Sequence, residues 1–256
     1  MCVLALAWQA HPRWRLVLAG NRDEFHARPT APLARWPEAP GLLAGRDLQA
    51  GGTWVGIDDL GRMAVVTNVR DPAQAGTRAS SRGTLVSGFL RRRLPAAAMA
   101  AELLDEAAGY APFNLLLADA ADCVFVGNHP HPRHQALPPG IHGLSNGNDL
   151  HAPWPKTARL VRAMQGWIAG GGEDPDALWP ALSDERRAED AALPATGIGL
   201  ARERLLSPVF IRDASYGTRA STLIAIDHGG RGWIRERRFG PGGAFLGETT
   251  LATAPH

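Results

Sequence analysis

The chain has 256 residues, 45% of them hydrophobic and 20% charged, a composition that excludes intrinsic disorder and fibrous repeats. Lys and Arg total 27 against 25 for Asp and Glu, and a net charge of +2 gives no field that argues for nucleic acid or an anionic membrane as partner. The apolar run from Val3 to Trp8 is far shorter than the roughly 20 residues of a membrane-spanning helix, and it lacks the flanking pattern of a secretory signal. Cys2 and Cys123 are the only cysteines, so free thiols in a reducing compartment are expected, and the cytoplasm is the expected location.

In chain order, Val3 to Ala19 reads as a hairpin turning at His11-Pro12. Residues 28 to 50, with Pro29, Pro32, Pro37 and Pro40, read as an extended loop. Residues 51–57 and 63–66 then read as a second strand pair, turning at Asp58 to Gly61 and bringing the first sheet to about four strands. Apolar residues recur at helical spacing through Leu85, Val86, Phe89 and Leu90 and again through Met99, Leu103 and Leu104, with Pro95 between, which predicts two helices. Phe113 to Ala118 and Cys123 to Val126 read as strands. A His- and Pro-rich loop leads to Gly140 to Leu144, and Leu160 to Ile168 forms a helical stripe closed by Gly170 to Gly172. A further helix is expected near Asp176 to Arg187, followed by strands at Val209 to Ile211, Ser221 to Ile226 and Trp233 to Arg238. This segregation of strands and helices favours an α+β architecture of antiparallel sheets covered by helix pairs. No linker or internal repeat divides residues 1–256, so one domain is expected.

Cys2 draws attention by its address. Removal of Met1 would leave a residue carrying both a thiol and a free α-amine, whose reference pKa of about 7.7–8.0 suits a general base. Packing at the start of a strand is the competing use of such a residue. After the second strand come Asn21, Arg22, Asp23 and Glu24. In extended chain Asn21 points with Asp23 and Arg22 with Glu24, so a guanidinium near Cys2 and a carboxylate near its amine are both within reach, as is a solvated turn. Asn68 and Asn146 sit at strand ends, where their amides can donate to a developing oxyanion or serve as turn residues. Arg219 precedes an apolar strand and can meet an anionic group or face water.

Taken together, Met1-Cys2, NRDE at 21–24, GGTWVG at 51–56, TN at 67–68, SRGTLV at 81–86, FNLLL at 113–117, SN at 145–146, PWPK at 153–156, SPVFI at 207–211 and YGTRAST at 216–222 resemble the NRDE family, that of the transport and Golgi organization protein 2 homologues. The resemblance implies a fold similar to N-terminal nucleophile hydrolases, a four-layer αββα sandwich. It is similar in architecture to the cholylglycine hydrolase and penicillin V acylase group, which cleave amide bonds with an N-terminal cysteine. By that analogy Cys2 is the nucleophile, Arg22 tunes its thiol, and Asp23 holds the α-amine. Asn68 and Asn146 serve the oxyanion or substrate carbonyl, and Arg219 lies nearby. Those acylases separate their arginine and aspartate by two residues. Arg22 and Asp23 are adjacent and Glu24 follows, so Asp23 and Glu24 compete for the amine.

Two functions follow as expectations. One is a hydrolase acting through Cys2 on a non-peptide amide or related acyl bond, requiring no cofactor or metal. The other is a non-enzymatic binder or carrier of haem, an acyl-CoA or a lipid, with haem a ligand rather than a required cofactor. Gly143 to Gly147 matches the G-x-S-x-G elbow of serine hydrolases, but that motif needs a helix directly after Ser145, and Pro153 and Pro155 follow instead. His129, His131 and His134 lie among prolines and read as a solvated loop. Neither Arg91 to Arg93 nor Arg235 to Arg238 carries interleaved aromatic residues for RNA stacking.

Overall fold

The computed structural model describes residues 2–74 and 80–254; Met1, whose removal the Cys2 chemistry invokes, lies outside them. Alternation of side chains along the first strand already dictates the layering. In β1 (Cys2–Trp8), Leu4, Leu6 and Trp8 enter one apolar cluster while Val3, Ala5 and Ala7 enter another, so the strand is covered on both faces. β2 (Trp14–Phe25) completes the hairpin. Its turn is held by His11 Nδ1, which accepts from the amides of Arg13 and Trp14 at 3.1 Å each.

The other strands are β3 (Thr30–Trp36), β4 (Ala39–Asp47), β5 (Val55–Asp58), β6 (Met63–Asn68), β7 (Phe113–Ala118), β8 (Cys123–Gly127), β9 (Arg133–Ala136), β10 (Gly140–Leu144), β11 (Tyr216–Asp227), β12 (Gly232–Phe239) and β13 (Phe245–Ala252). The helices are α1 (Gly83–Arg91), α2 (Ala96–Glu106), α3 (Pro155–Ala169), α4 (Trp179–Leu182) and α5 (Leu200–Leu205). Six strands form one sheet in the order β10-β1-β2-β11-β12-β13, and seven form the other in the order β3-β4-β5-β6-β7-β8-β9. Among the described residues every pairing between these strands is antiparallel. Leu4, Leu18, Leu43, Val65, Leu116 and Ile224 fill the space between the sheets. Leu85, Phe89, Met99 and Leu103 of α1 and α2 cover the outer face of the seven-stranded sheet. Leu160, Met164 and Trp179 of α3 and α4 cover that of the six-stranded sheet. The result is the expected α+β sandwich of four layers, αββα.

Several local expectations are corrected. Residues 28–50 are not a loop: β3 is the edge strand of its sheet, and Pro32 falls where its register with β4 shifts, between Ala31 and Ala34. Edges and bulges are where a strand tolerates a missing N–H. Because β4 pairs with β5, the second predicted strand pair joins the seven-stranded sheet and not the sheet of the opening hairpin. Val209 to Ile211 is buried but irregular, its polar groups bonded partly to side chains and partly to distant backbone: Asn21 Nδ2 donates to the Val209 carbonyl, the Ile211 amide to Thr218 Oγ1, the Phe210 amide to the Asp184 carbonyl and the Thr218 amide to the Ile211 carbonyl, each at 2.9 Å. The helix expected over 176–187 is a 3-10 turn at Pro175–Leu178 followed by the short α4. Pro180 suits only a first helical turn, and Asn21 Nδ2 takes the Leu182 carbonyl at the far end. β9, β13 and α5 had no counterpart among the expected elements.

The glycines of GGTWVG and SRGTLV meet in space. A Cβ added at Gly52 would lie 2.4 Å from the Gly83 carbonyl carbon, and the Thr53 amide donates to the Gly83 carbonyl at 3.2 Å. The contact joins the chain before β5 to the start of α1, and both segments line the cleft described below. Gly52→Ala is expected to lower stability by about 1–3 kcal/mol, the usual cost of forced overpacking, read as a fall in the urea midpoint at unchanged m-value.

Candidate active site

The register of the opening hairpin sets Cys2 directly opposite Arg22. Both side chains lie on the face that Leu4 and Leu18 present to the space between the sheets, and at this end the space opens into a cleft of about 980 Å³ whose lining includes Cys2, Arg22, Asn68 and Arg219. Cys2 is only 6% exposed. Burial pushes its thiol pKa up, and the charges of Arg22 and Lys156 oppose that rise.

One step along β2, Asp23 turns to the opposite, helix-covered face. Its Oδ1 accepts from Thr218 Oγ1 at 2.7 Å, Tyr216 Oη donates to its carbonyl at 3.1 Å, and Lys156 Nζ lies 3.8 Å from Oδ2. In an antiparallel pair the chain N-terminal to Cys2 runs beside the residues after Arg22, so the nitrogen of Cys2 lies at the Asp23 end of the pair. Glu24 shares the face of Arg22, at 3.7 Å from it and 3.9 Å from Arg28. Its carboxylate is thus engaged by two guanidinium groups, which leaves Asp23 the better placed of the two competitors for the amine.

A β-bulge shapes the neighbouring strand. Thr218 pairs with Asp23 and Ala220 with Arg22, leaving Arg219 as the extra residue. Bulges re-aim side chains beside functional sites, and here Arg219 swings to the cleft wall, its Nη1 donating to the Phe25 and Arg28 carbonyls at 2.9 Å each. Asp47, from β4, sits 2.7 Å from Arg28 and 3.8 Å from Arg22. Arg22 Nη1 is buried without a hydrogen-bond partner among the described residues. Neither Arg82 nor Arg219 has a carboxylate within 4 Å among the described residues, and Arg82 donates instead to the Pro112 carbonyl at 3.1 Å. The wall is therefore electropositive and favours an anionic group.

The two asparagines have different places. Asn68 lines the cleft, whereas Asn146 is fully buried behind it, its Nδ2 donating to Asn68 O and Oδ1 at 3.0 Å each. Asn146 thus holds Asn68 and does not itself face the cleft. Around it Ser145 Oγ donates to the Cys2 carbonyl at 2.8 Å, Thr67 Oγ1 to the Ser145 carbonyl at 2.6 Å, and Asn114 Nδ2 to the Gly147 carbonyl at 2.9 Å. The short TN, FNLLL and SN blocks therefore stitch the seven-stranded sheet to the strand that carries Cys2. Ser145 serves here as a scaffold hydroxyl; β10 has ended and α3 begins only at Pro155.

Sequence reasoning missed Lys156, Thr218, Tyr216, Asp47 and Arg82 as site residues. The signals for Lys156 were its place in the PWPK block and a cation immediately after Pro155 at a helix start, where the dipole disfavours positive charge. Burial lowers its ammonium pKa to about 8 against the pull of Asp23. Arg70 and Glu203 form a further buried pair at 2.5 Å.

The fold is that of the N-terminal nucleophile hydrolases. It is similar to a Caenorhabditis elegans N-acylethanolamine-hydrolyzing acid amidase ortholog, with a TM-score of 0.51 and 10% identity over 89% of this chain and 93% of that one. It is also similar to the C2A mutant of a conjugated bile acid hydrolase from Clostridium perfringens, with a TM-score of 0.54 and 7% identity over 98% and 92%. The family model for Transport and Golgi organisation 2 matches residues 1–241, and the chain belongs to that family. It is 32% identical to the Mus musculus Transport and Golgi organization 2 homolog over 93% of this chain and 92% of that protein, and 25% identical to the Drosophila melanogaster Transport and Golgi organization protein 2 over 89% and 88%.

Asn146→Ala leaves Asn68 Oδ1 and the Asn68 carbonyl without their donor and is expected to cost about 1–3 kcal/mol, measured as the loss of unfolding free energy in urea with the secondary-structure signal of the folded state retained.

Proposed function

We propose that the protein is a hydrolase that uses Cys2 as an N-terminal nucleophile on a non-peptide carbon–nitrogen amide or related acyl bond. The observation that carries this reading is the cross-strand pair of Cys2 and Arg22 at the cleft, with Asp23 behind it at the amine end of the same pair. Burial raises the thiol pKa, so a base is needed, and removal of Met1 supplies one in the α-amine of the same residue. The amine takes the thiol proton as sulfur bonds to the acyl carbon. That proton then passes to the departing nitrogen as the carbon–nitrogen bond breaks, leaving a thioester. Water adds to the thioester, releasing the acid and restoring the thiol. Asn68, held by Asn146, supplies its amide to the developing oxyanion, and the cleft arginines favour a substrate with an anionic group. The amidase and bile acid hydrolase of similar fold lend support to amide chemistry.

The second reading, binding of haem, an acyl-CoA or a lipid without conversion, is favoured by the joining of this electropositive wall to an apolar lip, where Phe239 and Leu246 line the cleft and Leu246 is 60% exposed. Each of those ligands combines an anionic group with an apolar body.

Two measurements decide between them. Intact-mass analysis after brief exposure to a limiting thiol electrophile is expected to show loss of Met1 and labelling of Cys2 in preference to Cys123, which is buried in β8 with its pKa raised by that burial. In a screen of acid-bearing amides, Cys2→Ala is expected to abolish turnover while the fold stands. Full turnover by that variant would overturn Cys2 as the nucleophile, and equal stoichiometric ligand binding by both forms with no conversion would instead establish the carrier.

A further inference from the structure

Lys156 stands in a position that folding stability does not explain. It is the second residue of α3, in a first turn without an acidic residue, and it is 1% exposed. Its Nζ makes no hydrogen bond among the described residues. A buried cation at a helix N-terminus is opposed both by desolvation and by the helix dipole, and an unbranched apolar side chain would fill the same space at less cost.

The charges that face it identify its partner. Arg70, on the segment after β6, and Glu203, on α5, neutralise one another. Cys2 on β1 is the other titratable neighbour, and Asp23 on β2 is the carboxylate that remains, 3.8 Å away. Lys156 reaches Asp23 from the helix side of the sheet. Asp23 is already fixed on Oδ1 by Thr218 and through its carbonyl by Tyr216.

We propose that Lys156 is a positioning residue of this centre: its ammonium group keeps Asp23 a charged acceptor directed at the terminal amine of Cys2. The inference rests on the N-terminal nucleophile reading given above. Burial pushes the Asp23 carboxyl pKa up, and Lys156 is the largest influence pulling it down. Without that cation Asp23 takes a proton at higher pH and ceases to accept from the amine.

The test is the pH dependence of Cys2 alkylation by iodoacetamide from pH 5 to 9, followed by peptide mass in the full chain. In wild type Cys2 is expected to outpace Cys123 and to lose reactivity along an acid limb. Lys156→Met is expected to move that limb up by about one pH unit, roughly tenfold in rate at a fixed pH on the limb, and Lys156→Arg to restore it. Because Lys156 acts through Asp23, Asp23→Asn/Lys156→Met is expected to coincide with Asp23→Asn alone. An unmoved limb in Lys156→Met, or a further shift in the double variant, overturns the proposal and leaves the nucleophile reading standing. Should Lys156→Met fail to fold, Lys156→Arg decides. A wild-type profile supports the role, and a profile displaced as far as that of Asp23→Asn overturns it. A wild-type Cys2 no more reactive than Cys123 removes the nucleophile reading, and this proposal with it.

Discussion

The pairing of Cys2 with Arg22 across the first hairpin is the constraint on which the site depends. Side chains alternate across a strand, so a single residue step sends Arg22 into the cleft between the sheets and Asp23 to the helix-covered face. The thiol therefore meets the guanidinium, while its nitrogen lies toward the carboxylate. A one-residue slip would exchange these surroundings and also bring Leu4, Leu6 and Trp8 out of the core between the sheets. The apolar core thus enforces the register that the proposed chemistry needs, and no flexible loop has to supply it.

Around that pair the structure concentrates charge in two layers. On the cleft side, Arg22, Arg28, Glu24 and Asp47 form a partly satisfied network, and the guanidinium groups of Arg82 and Arg219 turn to backbone carbonyls. On the helix side, Asp23, Lys156, Arg70 and Glu203 are withdrawn from water. Such buried pairs contribute little net stability, because desolvation offsets their attraction. In the proposed mechanism their value lies in fixing protonation and direction, which a thiol and amine in one residue would require. The joining of both sheets through Thr67, Asn114, Ser145 and Asn146 keeps the two layers in line.

Much of the fold was legible in local pattern. The periodicity of residues 85–104 and 160–168, the short apolar runs at 113–118 and 123–126, and the hairpin turn at His11-Pro12 each reflect interactions between near neighbours in sequence. Where local pattern failed, a distant partner supplied the missing hydrogen bonds. Val209 to Ile211 had the composition of a strand but bonds to the side chains of Asn21 and Thr218. The proline-rich segment 30–47 had the composition of a loop but lies at a sheet edge with a register shift.

The candidate site divides in the same way. The amino-acid sequence by itself determined which groups can do chemistry, namely the thiol of Cys2, the Arg22, Asp23 and Glu24 run, the amides of Asn68 and Asn146, and the guanidinium of Arg219, because side-chain chemistry and strand alternation are local properties. Only the tertiary structure decided that Glu24 is engaged by arginines, that Asn146 stands behind Asn68, that a bulge carries Arg219 to the cleft, and that Lys156 sits buried beside Asp23. Each of those outcomes depends on contacts between strands and helices far apart along the chain, and in the interior low dielectric makes the nearest charge count more than the nearest residue in sequence.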